Sequence, residues 1–333
     1  MVNVFPEIFE AAEEIKKRKI HGATGVTIIA LKALANAILN SKVKNLSELY
    51  NEVLNSGKIL VKARPTTMLL ANGIRFALYR IKEAEEEGID IEEAKKKVYD
   101  EILEFRDRIE TSIEKIAEIG SRRIQDGDTV LTHGFSTTVF KVIEKTAEEK
   151  KIEVIVTETR PEFQGRIMAN KLNEINVPTT LIVDSAARFF MKDVDKVLLG
   201  AEAIAANGAV INKIGSSLIA LAAHEARVRV FVTAGTYKFS QETMLGELIE
   251  IEERDPSLVA PMDFIKEYSS LNIRNPAFDV TPPEYIDLII TEKGVIPPQG
   301  AVLVLKDEFG WIVGEELVKG KEMYSTYEPC GIE

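Results

Sequence analysis

Apolar positions fall into two rhythms along the chain. From residue 6 to about 119 they recur at spacings of three and four, and Ile91, Ala94, Val98, Ile102, Phe105, Ile109, Ile113 and Ile116 mark one face of a single long helix. That segment ends at Gly120. Beyond it, short β-rich runs alternate with helical ones: "DTVLTHG", "IEVIVTETR", "PTTLIVDSA", "KVLLGAEAI", "VRVFVTAG" and "IDLIITEKG". These runs are apolar on both faces, which predicts a central parallel sheet covered by helices, the doubly wound α/β class. The expected organisation is a helical domain over residues 1–120 followed by a doubly wound parallel-sheet domain over 121–333.

Ligands of such sheets bind at the carboxyl ends of the strands. Each run here ends in small or polar residues, as in "THGFST" at residues 132–137, "TETRPEFQG", "DSAA", "NKIGSS" and "GTYKF". "THGFST" is a strand-to-helix loop, so backbone N–H groups at the helix start, with Ser136, Thr137 and Thr138, suit an anion. Arg64 in "ARPTT" and Arg160 in "TETRPEFQG" precede prolines, which hold them on extended or turn backbone where a guanidinium grips phosphate with two hydrogen bonds. The alternative for each is a surface ion pair. Lys213 and Lys238 stand just past strand ends, and "NGAVINKIG" combines an Asn-Gly turn signal with Asn212, Lys213 and Gly215 before a helical run. The start of that helix is a second expected phosphate position.

Composition narrows the partners. With 53 acidic against 42 basic residues, the net charge of -11 argues against nucleic acid or an anionic membrane as the main partner. The single cysteine, Cys330, supports no internal disulfide and no Cys-based zinc site. His21, His133 and His224 are not at metal-ligand spacing, so neither metal nor cofactor is expected. His224 sits on a helix and reads as structural, whereas His133 lies in the strand-end loop as a candidate acid, base or neutral structural group. Glu158, Asp184 and Glu202 are the strand-end carboxylates. No Walker motif and no G-x-G-x-x-G fingerprint is present. The N-terminus lacks the order of a signal peptide, and the apolar run "GATGVTIIALKALANAIL" is interrupted by Lys32, so a buried helix and a cytoplasmic setting are expected.

Several segments together resemble one family. "THGFST", "VTETRPEFQGRIMA", "VDSAA", "GAEAIAANGAVINKIGSS", "TYKF" and "NPAFDVTPPEYIDLIITEKGVIPP", with "HGATGV" and "ARPTT" in the helical part, are similar to the alpha, beta and delta subunits of translation initiation factor 2B and their archaeal relatives. Those relatives include ribose-1,5-bisphosphate isomerase and methylthioribose-1-phosphate isomerase. The resemblance implies a Rossmann-like C-terminal domain carrying a ligand pocket and a dimerisation surface. It also implies homodimers or homohexamers, and a pocket for a phosphorylated small molecule, a sugar phosphate or nucleotide. Carried over position by position, it puts ligand contacts at Gly22, Ala23, Arg64, Ser136, Thr137, Arg160, Asn212, Lys213 and Lys238.

Two departures bear on chemistry. The isomerases carry Thr-His-Cys in the opening loop, with the thiol moving a proton, and this chain has Gly134; they carry Gly-Ala-Asp, and this chain has Glu202. Glycine moves no proton, and a carboxylate displaced by one methylene loses rate steeply. The expectation is therefore a regulatory or binding member of the family, with the alpha subunit of translation initiation factor 2 as a partner. The alternative is an aldose–ketose isomerase acting on ribose 1,5-bisphosphate through substituted acid–base residues, His133 and Glu202.

Overall fold

The computed structural model describes residues 5–17, 22–268 and 270–309, so His21 and Cys330 lie outside the described residues. The chain forms two compact units, one holding the helices up to Glu110 and the other running from Thr111 to Glu308. The division falls within the long helix that the apolar periodicity marks.

The first unit contains α1 (Pro6–Lys16), α2 (Ala23–Leu39), α3 (Leu46–Ala63), α4 (Met68–Glu86) and the first part of α5 (Ile91–Ser121). Local signals set their ends. Pro6 opens α1, and the Asn45 side chain caps α3 by accepting from the Glu48 amide at 2.8 Å. The run that begins at Gly22 is α2, whose buried face includes Val26, Ala30, Leu31, Leu34 and Ile38. No helix among the described residues is long and apolar enough to cross a membrane.

The second unit is built on a seven-stranded sheet. Its strands are β1 (Thr129–His133), β2 (Glu153–Thr157), β3 (Thr179–Ile182), β4 (Lys196–Gly200), β7 (Arg229–Thr233), β9 (Leu288–Thr291) and β10 (Gly294–Ile296). The spatial order is β10-β9-β7-β4-β1-β2-β3, parallel except for the β10 edge. Helices α6 (Thr137–Ala147), α7 (Gln164–Glu174), α8 (Ala187–Phe190), α9 (Ser216–Ala226), α10 (Met262–Glu267) and α11 (Ala301–Phe309) complete the unit's connections, α11 reaching its end. Val130, Val142, Val154, Val156, Leu198, Phe231 and Ile290 form the core beneath α6 and α7. The order reverses at β1: the chain moves outward through β2 and β3, then crosses back to β4. The carboxyl ends of β1 and β4 therefore flank the crevice where doubly wound sheets hold ligands.

A second, three-stranded antiparallel sheet joins β5 (Ala203–Ile204), β6 (Val210–Lys213) and β8 (Phe278–Thr281). The sequence reading does not contain it. Its strands are two to four residues long, too short for alternation to show. The Asn207–Gly208 signal is the turn of its β5–β6 hairpin, where Gly208 takes φ 85° and the Ala205 amide donates to Ala209 O at 2.9 Å.

Candidate functional site

Loops following β1, β2, β4 and β6 bring the polar residues of the second unit together. His133 closes β1 and is buried. Its Nε2 lies 2.7 Å from the carbonyl oxygen of Ile214, and its Nδ1 lies 2.6 Å from Thr157 Oγ1. A carbonyl only accepts, so Nε2 carries the proton and Nδ1 accepts from the threonine hydroxyl. Burial holds the imidazole below its ordinary pKa, and the nearby Lys213 charge pushes the same way against the Ile214 carbonyl and Asp184. The ring is neutral with both nitrogens engaged.

The same polar atoms tie the loops to one another. The Gly134 amide donates to Thr159 Oγ1 at 2.9 Å, and Asp184 accepts from the amides of Thr159 and Arg160 at 2.7 and 2.6 Å. Thr159 is held in the left-handed region at φ 62°. Gly134 also has positive φ, 77°, and a Cβ there would lie no nearer than 3.6 Å to Lys213. The position has room for a side chain and a backbone that disfavours one.

Ser136 caps α6 by accepting from the Val139 amide at 3.3 Å. The amides of Thr137 and Thr138 have no acceptor among the described residues and remain open to an anion. The start of α9 is different. Asp279 accepts from the Gly215 amide at 2.7 Å and from the Ser217 amide at 3.2 Å, so a carboxylate of the chain itself occupies the position expected to hold phosphate. Burial raises that carboxyl to about 6, against the pull of the amides it accepts from.

Lys213 ends β6 with its Nζ 3.1 Å from Glu162 Oε2, and Lys238 is buried with its Nζ donating to Ala201 O at 2.8 Å. Glu202, buried just past β4, donates its amide to Ile211 O. Asn212 Nδ2 donates to Ser216 Oγ at 2.9 Å, and that hydroxyl donates to Lys213 O. Arg160 is exposed and donates from Nη2 to Val259 O at 3.3 Å. His133, Ser136, Thr137, Arg160, Glu202, Asn212, Lys213 and Lys238 thus all belong to the second unit.

Gly22, Ala23 and Arg64 belong to the first unit. Gly22 precedes α2 at φ 84° and Ala23 is its first residue, while Arg64 follows α3 at φ -156° and ψ 76° and is buried. Among the described residues no group of His, Cys, Asp or Glu is arranged to hold a metal ion.

Sequence reasoning did not single out Thr157, Thr159, Glu162, Arg254 or Asp279. Arg254 lies in the acidic stretch "IEERDP", and it is buried and ion-paired with Glu162. Glu162 had a signal: it stands two residues from Arg160 in the same strand-end loop.

The chain is 48% identical to the ribose 1,5-bisphosphate isomerase of Pyrococcus furiosus over 92% of this chain and 95% of that protein. It is 46% identical to the enzyme of the same name from Thermococcus kodakarensis over 92% of this chain and 96% of the other. Among solved structures, the Pyrococcus horikoshii translation initiation factor eIF-2B superimposes with a TM-score of 0.77 at 30% identity, covering 90% of this chain and 99% of that one. The identity to isomerases overturns the expectation of a regulatory, non-catalytic protein, which gave the loss of a thiol at Gly134 more weight than similarity over most of the chain warrants. The model of the initiation factor 2 subunit family matches residues 19–298, and with these relatives it establishes that the chain belongs to that family.

Proposed function

We propose that this chain is an aldose–ketose isomerase acting on ribose 1,5-bisphosphate. The observation that carries the proposal is its 48% identity, over nearly full length, to an isomerase of that name. The site supports it, with a carboxylate, hydroxyls, an open helix start and buried lysines at the strand ends beside the sheet's reversal point.

Converting ribose 1,5-bisphosphate to ribulose 1,5-bisphosphate breaks the ring C1–O4 bond. O4 leaves with the bond's electron pair and gains a proton, O2 gives one up as C2 becomes the carbonyl, and the C2 hydrogen moves to C1 with its electron pair, as hydride. One carboxylate that accepts the O2 proton and delivers one to O4 supplies the acid–base work, a contribution of about 10²–10⁴ in rate for a positioned group. Glu202 is assigned that role. His133, neutral and held at both nitrogens, is assigned to positioning the loop rather than to proton transfer. Ser136 and Thr137 with the open α6 amides, Arg160, Asn212, Lys213 and Lys238 are assigned to the phosphates and hydroxyls. Gly22, Ala23 and Arg64 are assigned to ligand binding on the resemblance alone.

Purified protein incubated with ribose 1,5-bisphosphate is expected to form the ketose, with kcat falling by about 10² or more in Glu202→Gln while the substrate still binds. Absence of ketose from the wild-type chain overturns the proposal, and unchanged kcat in Glu202→Gln removes Glu202 from the mechanism.

A further inference from the structure

Lys213 belongs to a buried chain of alternating charges that the segment between β7 and β8 completes. Glu162 gives one oxygen to Lys213 and the other, Oε1, to Arg254. Arg254 donates in turn through Nε and Nη2 to Glu252 Oε1, at 3.1 and 2.7 Å. Both cations lie against the same aromatic ring, with Lys213 Nζ 4.7 Å and the Arg254 guanidinium 5.5 Å from the centre of Phe278. Phe278 is the register partner of Lys213 across the β6–β8 ladder. None of the four charged side chains is more than 15% exposed.

The backbone fixes this arrangement from the Arg254 side. The Arg254 amide donates to Asn275 O at 2.8 Å and the Ala277 amide to Glu252 O at 2.9 Å, which lays residues 252–254 beside the strand leading into β8. An ammonium facing a buried carboxylate alone is held tightly, because the surroundings screen the pair poorly, and it then presents little net charge to a second anion. A guanidinium that engages the other carboxylate oxygen weakens that hold and restores positive potential at the lysine.

We infer that Arg254 is a positioning residue for phosphate binding: by sharing the Glu162 carboxylate it sets where Lys213 stands and how much charge Lys213 offers a ligand. The inference rests on the assignment of Lys213 to the ligand in the proposed function. It makes the segment before β8 part of the binding machinery, although none of its residues needs to touch the substrate.

Calorimetric titration of the full chain with ribose 1,5-bisphosphate tests it, run beside kcat and KM for Arg254→Met, Glu162→Gln and the double variant. Arg254→Met leaves Lys213 as the cation on Glu162, beside the Gln164 amide that donates to the same carboxylate at 3.3 Å, and is expected to weaken binding and raise KM about tenfold with kcat little changed, a coupling ordinary for contacting charges. Glu162→Gln is expected not to weaken binding, and the double variant is expected to return to within about threefold of wild type. A purely structural Arg254 would lower the melting temperature without that recovery. Wild-type affinity in Arg254→Met, or a double variant as weak as the single, overturns the inference. If Arg254→Met does not fold, Glu162→Gln decides, because weakened binding there overturns it equally. A wild-type chain that binds the bisphosphate without converting it, with this pattern intact, would sink the isomerase proposal and leave the inference standing. Turnover with a KM indifferent to Arg254 does the reverse.

Discussion

Gly200 and Ser136 meet so closely at the ends of β4 and α6 that a Cβ on the glycine would lie 2.8 Å from both Cβ and Oγ of the serine. The helix cap therefore sits directly against the neighbouring strand. Gly200→Ala is expected to destabilise the fold by about 1–3 kcal/mol, as overpacking of a tight site does. Ser136→Gly in the same background removes the clashing atoms and should recover part of the loss, an interaction that a urea-unfolding cycle measures. Strict additivity of the two changes would contradict the geometry.

Two titratable groups, buried His133 and partly buried Asp279, give the stability of the second unit opposing pH dependences. His133 is held below its ordinary pKa, so the stability it contributes is present above about pH 6.5 and is lost as pH falls through its folded value. Asp279 is raised from 3.8 to about 6, so its contribution is present at low pH and is lost as pH rises through about 6. Relative to Asp279→Asn, the wild-type chain should lose on the order of 3 kcal/mol between pH 4 and 7, about two pH units at 1.4 kcal/mol each. Parallel stability curves for the two proteins across that range would rule out a raised Asp279.

Gly134 has space for a side chain at a backbone φ of 77°. Gly134→Cys places a thiol where the resembling isomerases carry one, and it is expected to raise kcat at least tenfold, the low side of what a positioned proton carrier gives. The left-handed backbone should cost about 1–2 kcal/mol of stability. Reduced turnover with unaltered substrate affinity would show that the loop works with a bare backbone at that point.

Leu218 and Leu221, three residues apart on α9, are 64% and 38% exposed. Leucines on one helix face at such exposure suit a contact with a second copy of the chain. Leu218→Glu is expected to shift a dimer toward monomer in sedimentation velocity, leaving the secondary structure unchanged. An unshifted sedimentation coefficient would place any dimer contact elsewhere.

Much of the second unit was legible because parallel strands buried on both faces leave continuous apolar runs: the runs match β1, β2, β4, β7 and β9, and a sixth marks β3, an edge strand whose Leu181 is exposed. The strand-end rule then put His133, Ser136, Lys213 and Glu202 among the candidates. What stayed hidden depends on pairing across long sequence separations. Arg254 and Glu162 are 92 positions apart, so nothing local to the arginine marks it as the buried partner of that carboxylate. Asp279 and Gly215 are 64 apart, and nothing local marks the start of α9 as already filled. The small sheet escaped notice because strands of two to four residues carry no measurable period.

That filled helix start has a consequence for direction. A sugar with a phosphate at each end is nearly two-headed, and two equivalent anion seats around His133 would let it enter either way round. With Asp279 closing α9 and the amides of Thr137 and Thr138 open on α6, the seats are unequal. An anion charged at both ends meets the chain's own carboxylate at one helix start and open amides at the other, so its two ways round are not equivalent.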